Sequence, residues 1–353
     1  MSFELTIEPL GETIEVEDDQ TILDACLRNG IYVPYACNHG LCGTCKVDVL
    51  EGEVDLGDAS MFALMDFERE EGKALACCAH LQSDVTIEAD VDEDPDARYL
   101  PIEDYVATVD EIVDLTPDIK GIQLKVGGAG VEFQAGQYIN VEIPCLDAPR
   151  AFSIASSPAI PNRLELHVRL VPQGRGTGYI HHQLKLGDEM RFAAPFGRFF
   201  VRKSAEVPMI FIAGGSGLSS PKSMVLDLLE EGCDLPITLF HGVRAARDLY
   251  CRELFEGLAE KHRNFTYVPA LSEPDGADWA GETGFIHEVA ERHFAGKFAG
   301  HKAYLCGPPP MIEAAIRALM KGRLFEKDIY TEKFVTQADG EAALARSPLF
   351  RRI

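Results

Sequence analysis

The sequence has no apolar run long enough to cross a bilayer. The longest, VPMIFIAGG at 207–215, falls well short of the roughly 20 residues that a spanning helix needs. Nor does the chain open on a secretory signal: MSFELTIEPLGETIEVEDD is acidic and has no apolar core. A cytoplasmic protein is therefore expected. Cations are scarce, with 33 Lys and Arg against 57 Asp and Glu, for a net charge of −24. The deficit sits at one end. Residues 1–95 hold 23 acidic side chains and 4 basic ones, a net of −19, while the remainder is close to balanced. Nucleic acid and anionic membrane are thus poor partners. An acidic docking module that steers toward a complementary face is one reading of this asymmetry, and a plain solvated surface is the other. Internal repeats are lacking, and the single tryptophan, Trp279, lies in EPDGADWAGETG, which reads as a surface loop without an assigned role.

Cysteine is what the sequence does hold. Ten of them in a reducing compartment point to metal binding or catalysis rather than disulfides. Three fall in CNHGLCGTC (37–45) and two in ALACCAH (74–80). The spacing Cys37-x4-Cys42-x2-Cys45, with Cys77 farther on, is the plant-type [2Fe–2S] pattern. Gly40 and Gly43 let the loop wrap closely, so that backbone N–H groups can face sulfur. Two alternatives stay open. Structural zinc usually takes two C-x2-C pairs, and one is present here; a thioredoxin-like pair would need Cys42 and Cys45 to open a helix after a strand. The fourth ligand is Cys77 or its neighbour Cys78. His39 reads as a surface residue, and Cys26, Cys78, Cys145, Cys233 and Cys251 as small packing residues.

A chain of 353 residues exceeds one ordinary core, so two or three domains are expected. Composition divides it. Residues 1–95 open on two alternating stretches that read as a hairpin, followed by a helix in TILDACLRNG ending at Gly30. The charged, proline-broken run 91–101 reads as a linker. Residues 102–203 hold short β-branched stretches punctuated by Gly and Pro, the pattern of a small antiparallel barrel. Residues 204–337 alternate strand and helix, which predicts a doubly wound parallel sheet. There ARDLYCRELFEGLAEKH (246–262) reads as one helix. The tail 338–353 is expected to be loosely ordered.

Four further stretches resemble the cofactor motifs of the ferredoxin–NADP reductase superfamily. RAFSIAS (150–156) is similar to its R-x-Y-S flavin motif, with Phe152 where tyrosine is usual. The resemblance implies Arg150 on the FAD pyrophosphate, Phe152 stacked on the flavin ring and Ser153 near the ring's reactive nitrogen. HVR (His167, Val168, Arg169) would line the flavin from a neighbouring strand, and QGRGTG would offer Gly176 and Thr177 N–H groups to its pyrophosphate. IAGGSGLSSP (212–221) is similar to the G-G-T-G-[IL]-x-P nicotinamide loop, which implies Gly214, Gly215, Ser216 and Gly217 as NADH-binding residues. YLCGPPPM (304–311) is similar to the C-G-P-P motif, implying that Cys306, Gly307 and Pro308 flank the nicotinamide. FEKDIYTEKF (325–334) is similar to the terminal strand whose aromatic shields the flavin, here Phe334. Arg244 and Asp248 would meet the adenosine end, and Asp248 favours NADH over NADPH.

The order of motifs resembles the reductase components of bacterial multicomponent oxygenases, and EGEVD, ALACCA, RAFSIAS and the terminal LFRRI are most similar to their phenol hydroxylase branch. The plant-type ferredoxin pattern also selects Cys77 as the fourth ligand. The resemblance implies a multidomain α+β and α/β chain with a β-grasp ferredoxin domain, a flavin barrel and a nicotinamide domain. It further implies that NADH reduces FAD, with Ser153, Cys306 and Phe334 around the reacting rings. Electrons would then pass through a [2Fe–2S] cluster to a di-iron hydroxylase that converts phenol to catechol. A reductase for a ring-hydroxylating dioxygenase or for a toluene or methane monooxygenase would carry nearly the same motifs. A zinc-stabilised interaction module is the non-enzymatic alternative.

Overall fold

The computed structural model describes residues 2–35, 38, 40–91, 94–144, 146–274 and 279–334; Cys37, His39, Cys145 and the tail 338–353 lie outside them. The chain divides into two compact units, Met1–Glu103 and Asp104–Ile353. Among the described residues no helix is long and apolar enough to cross a membrane.

The first unit is a five-stranded sheet packed by one main helix. Strands β1 (Ser2–Glu8) and β2 (Glu12–Glu17) form the expected antiparallel hairpin, helix α1 spans Ile22–Arg28, and β3 (Lys46–Glu51), β4 (Lys73–Leu75) and β5 (Val85–Glu88) complete the order β2-β1-β5-β3-β4. β1 pairs with β5 in parallel, while the β1–β2, β3–β4 and β3–β5 pairs are antiparallel. This mixed sheet grasping a helix is the β-grasp arrangement. Helix α1 starts where Thr21 accepts the Asp24 N–H (3.2 Å), and buries Ile22, Leu23, Ala25, Cys26 and Leu27 on the sheet. Leaving the sheet, the chain runs along α1, where the Ile102 N–H donates to the Leu27 carbonyl (3.1 Å).

The second unit opens with six antiparallel strands: β6 (Glu103–Thr116), β7 (Ile119–Val126), β8 (Tyr138–Val141), β9 (Arg150–Ser153), β10 (Arg163–Arg169) and β11 (Glu189–Phe196), in the order β9-β8-β11-β6-β7-β10. The sheet curls until its edges meet. An Ile154–Leu166 bridge and an Ala155 N–H to Glu165 carbonyl bond (2.7 Å) close the barrel. Helix α2 (Arg175–His182) sits between β10 and β11.

The same unit then builds a parallel sheet: β12 (Met209–Gly214), α3 (Ser219–Glu230), β13 (Ile237–Val243), α4 (Arg252–Lys261), β14 (Phe265–Leu271), β15 (Glu282–Thr283), α5 (Ile286–His293), β16 (Lys302–Gly307), α6 (Pro309–Lys321) and β17 (Ile329–Lys333). Its order is β15-β14-β13-β12-β16-β17, every pair parallel. β12 is buried along its whole length, as a central strand covered on both faces must be. The chain winds outward from β12 in one direction and returns to β16 on its other side. That reversal is the switch point where open α/β sheets receive ligands.

One expected element is shorter than its sequence suggests. Helical propensity runs through 246–262, yet α4 begins only at Arg252. Cys251 sits at φ +54 before it, and Tyr250 is buried in the interior. Tertiary packing of that ring overrides local preference.

Candidate electron-transfer site

The cysteine loop joins α1 to β3. Cys42 is exposed, Cys45 is buried just before β3, and Cys77 is half-buried after β4. The Cys45 thiol is pushed far above its ordinary range, chiefly by its hydrogen bond with Cys77, then by burial, with the charges of Cys77 and Cys42 adding. A thiol raised in this way by its neighbours suits a cationic centre, whose charge reverses the penalty and favours thiolate. The Thr44 N–H already points at Cys42 Sγ (3.5 Å), the amide-to-sulfur contact expected of such a loop. Cys78 Sγ lies 3.7 Å from Cys77 Sγ but is turned under Gly40. Gly40 has φ +74, and a Cβ there would come within 2.7 Å of Cys78 Sγ and 3.1 Å of the Asp58 carbonyl. Only glycine lets the loop close on this side. Among the described residues no three His, Cys, Asp or Glu side chains are grouped for a single ion.

In the second unit the flavin-motif residues fall together. Arg150 starts β9, its Nη1 donating to the Ala148 and Pro149 carbonyls (both 3.0 Å). Gly176, in the first turn of α2, faces it: a Cβ there would lie 3.5 Å from Arg150 Cγ. Thr177 Oγ1 accepts the Val171 N–H (3.1 Å), which fixes the turn entering α2. Phe152 packs on the barrel core and Val168 belongs to it. Arg169 pairs with Asp118 (2.9 Å). His167 does not line an open face: it is buried, held by Glu165 and Tyr250.

The nicotinamide-motif residues meet at the switch point. Gly214 ends β12, and Gly215–Leu218 form a 3₁₀ turn before α3. A Cβ on Gly217 would stand 2.5 Å from the Cys306 carbonyl oxygen and from Gly307 Cα, so the two glycine-containing loops pack backbone to backbone. Pro308 caps α6. The Phe334 N–H donates to the Gly307 carbonyl (3.0 Å), which ties the segment after β17 to the Cys306 loop. Farther out, the Asp248 carboxylate accepts the Ala245 N–H (3.1 Å) beside exposed Arg244.

At the centre is a residue that the sequence reading missed. Glu332 Oε2 accepts from Ser220 Oγ (2.7 Å), Ser153 Oγ (3.1 Å) and Cys306 Sγ (3.6 Å). Burial raises the Glu332 carboxyl above the ordinary carboxylate range, against the pull of those three donors. Burial also pushes the Cys306 thiol well up, and the Glu332 charge adds to it, so Cys306 is a neutral S–H donor rather than a thiolate. A signal for Glu332 does exist: it lies near the end of β17, two residues before Phe334. Its partners lie far away in sequence, Ser153 being 179 residues off.

Three protein-family models match the chain: a 2Fe-2S iron-sulfur cluster binding domain over residues 5–82, an oxidoreductase FAD-binding domain over 106–201, and an oxidoreductase NAD-binding domain over 211–317. The chain is 58% identical over its full length to the reductase component of phenol 2-monooxygenase from Pseudomonas sp. strain CF600, covering all of both chains. It is 57% identical, again over all of both, to the phenol hydroxylase P5 protein of Acinetobacter pittii. Among solved structures it is similar to an Amycolatopsis cytochrome P450 reductase, with TM-score 0.85 and 35% identity over 95% of this chain and 99% of the other. It is also similar to the ferredoxin reductase of carbazole 1,9a-dioxygenase, with TM-score 0.78 and 28% identity over the same shares.

Proposed function

The chain belongs to the family of phenol hydroxylase reductase components, carrying 2Fe–2S, FAD and NAD modules in that order, and we propose that it works through the residues assembled above. It is an NADH-dependent oxidoreductase whose cofactors are a [2Fe–2S] cluster, FAD and NADH. Residues 1–95, 102–203 and 204–337 are its ferredoxin, flavin and nicotinamide modules. The observation that carries the reading is the convergence of Ser153, Ser220 and Cys306 on Glu332. It puts a buried carboxyl, two hydroxyls and a thiol where the flavin and nicotinamide modules meet.

Bound flavin supplies the conversion of a two-electron donor into one-electron deliveries, and a bound [2Fe–2S] group supplies the one-electron carrier. The chain positions both. Cys37, Cys42, Cys45 and Cys77 hold the cluster. The Arg150 fork takes the FAD pyrophosphate together with the Gly176 and Thr177 N–H groups. Phe152 and Phe334 flank the ring, and the Ser153 hydroxyl orients it. Gly214–Gly217 receive the dinucleotide pyrophosphate, Cys306, Gly307 and Pro308 wall the nicotinamide, and Arg244 and Asp248 bind the adenosine end. Burial raises the Glu332 carboxyl, which favours its protonated form between the flavin and nicotinamide modules.

The test is a visible spectrum of the purified protein before and after anaerobic NADH. Flavin and iron–sulfur bands should bleach together. A flavin that bleaches alone contradicts the relay, and a colourless, zinc-containing protein ends the redox reading.

Electrons leave for the di-iron hydroxylase through the ferredoxin module, in the cytoplasm. The net −19 of residues 1–95 supports this route, as do the apolar side chains of Leu41, Met61 and Phe62, 62%, 66% and 81% exposed, on the cysteine loop and on the segment whose Ser60 N–H donates to the Gly40 carbonyl (3.1 Å). Acidic steering makes a prediction: the rate of electron delivery to the hydroxylase should fall as salt rises from about 0.01 to about 0.5 M, with NADH-to-flavin transfer unaffected. Stopped-flow traces at several ionic strengths check it, and a salt-independent delivery rate contradicts acidic docking.

A further inference from the structure

A chain of polar side chains crosses the interior between barrel and sheet. Lys222 on α3, its side chain 7% exposed, donates to Glu165 Oε2 (2.6 Å). Glu165 Oε1 accepts from Nε2 of His167 (2.8 Å), both residues lying on β10. His167 Nδ1 stands 3.1 Å from the Tyr250 hydroxyl. That hydroxyl donates to the Gly215 carbonyl, also at 3.1 Å. The His167 and Tyr250 rings meet edge to face with centroids 5.1 Å apart.

Burial would raise Glu165, but the His167 hydrogen bond, then the charges of His167 and Lys222, bring it down to about 2. Glu165 is therefore an acceptor, and His167 Nε2 carries a hydrogen. Burial lowers His167, against the pull of Glu165. The Tyr250 hydroxyl is thus held between His167 Nδ1 and the Gly215 carbonyl, each at 3.1 Å, which pins it in place. Interior ion pairs seldom repay their desolvation, and apolar side chains of the same volume would usually stabilise as well or better. What this chain gains is a directional hold on one backbone carbonyl.

We propose that Tyr250 is a positioning residue, hung from the barrel through His167, Glu165 and Lys222, that fixes the Gly215 carbonyl and so sets the loop receiving the dinucleotide pyrophosphate. The peptide unit is planar and trans, so a carbonyl held inward turns the following Ser216 N–H outward. Gly215 itself is at φ +56, a conformation that would otherwise be free to relax, and Arg169 Nη1 lies 3.8 Å from where its Cβ would be. The inference rests on the assignment of Gly214–Gly217 to the nicotinamide dinucleotide.

The experiment titrates ADP-ribose, which carries the pyrophosphate but no nicotinamide, into flavin-loaded protein by calorimetry. Tyr250→Phe keeps the ring and removes the hydroxyl. Its affinity for ADP-ribose should fall about tenfold, the worth of one hydrogen bond. Flavin reduction by NADH should need a correspondingly higher concentration for saturation. Reduction by 1-benzyl-1,4-dihydronicotinamide, which has no phosphate, should be unchanged. Glu165→Gln should show a smaller loss with the same selectivity, and serves if Tyr250→Phe does not fold. Unchanged ADP-ribose affinity, or an equal loss with both reductants, overturns the inference. A wild-type protein that neither binds ADP-ribose nor is reduced by NADH removes the loop assignment, and this inference with it.

Discussion

Replacing Cys45 by serine should cut electron delivery to a one-electron acceptor such as cytochrome c by at least about 100-fold, while NADH still bleaches the flavin. The magnitude is a lower bound: losing a partner that merely orients a metal ligand costs about 10–100-fold, and here a ligand itself is lost. Iron–sulfur centres need soft thiolate, and serine offers a hard, protonated oxygen. The loop has little means of compensating, because Cys45 is 2% exposed and β3 begins at the next residue. The measurement pairs iron content and the visible band with two rates, NADH to flavin and flavin to cytochrome c. Cys78→Ser is the control. Cys78 is packed under Gly40, whereas Cys77 hydrogen-bonds with Cys45, so Cys78→Ser should retain the band and Cys77→Ser should lose it. The opposite outcome for this pair would reassign the fourth ligand.

Glu332→Gln should slow flavin reduction by NADH about 100-fold, a typical size for losing a positioned proton carrier. The amide oxygen can still accept from Ser153 and Ser220, so the site keeps its shape and the saturating NADH concentration should hardly change. Stability should move the other way. A carboxyl raised by burial is favourable below the unfolded pKa of about 4.3. That contribution is lost as pH rises through the folded value, since the native state must then ionise a desolvated group. Glutamine cannot ionise, so the variant should melt higher than wild type at neutral and alkaline pH, with the difference vanishing in acid. In wild type, the reduction rate should decline as pH rises through the raised Glu332 pKa, and in the variant this limb should disappear. A variant that is equally fast, with an unaltered pH profile, would show that the carboxyl only packs.

The 2Fe-2S module is legible because three cysteines lie within nine residues and impose their own spacing. Strand–helix alternation from 204 to 337 likewise announces a parallel sheet, since each element's periodicity is local. The choice between Cys77 and Cys78 was less accessible, because it depends on which side chain Gly40 admits. Ser220 and Tyr250 carry no local mark, and Glu332 carries only its place two residues before Phe334. Glu332 and Ser220 acquire their places when β9, α3, β16 and β17 converge, Tyr250 when the segment before α4 meets β10, and Ser153 meets Glu332 only through the meeting of barrel and sheet. Tyr250 even misleads: it interrupts a stretch of good helix formers because its hydroxyl is used below Gly215. His167, read as lining a cofactor from its strand, is turned inward by the same network.

The closure of the barrel by Ile154 and Leu166 bears on how such proteins can be recombined. By joining β9 to β10, it sets the strand that carries Ser153 beside the strand that carries Glu165 and His167, so one barrel wall serves the hydride gap and the dinucleotide loop together. A graft that replaced only residues 204–337 with a relative's nicotinamide module would sever Ser153 from Glu332, Glu165 from Lys222 and His167 from Tyr250 at once. The joint for a working chimera is instead the boundary at Glu103, which leaves all three pairs on one side. New electron acceptors are therefore best engineered by exchanging the ferredoxin unit, with flavin and nicotinamide modules inherited as a single piece.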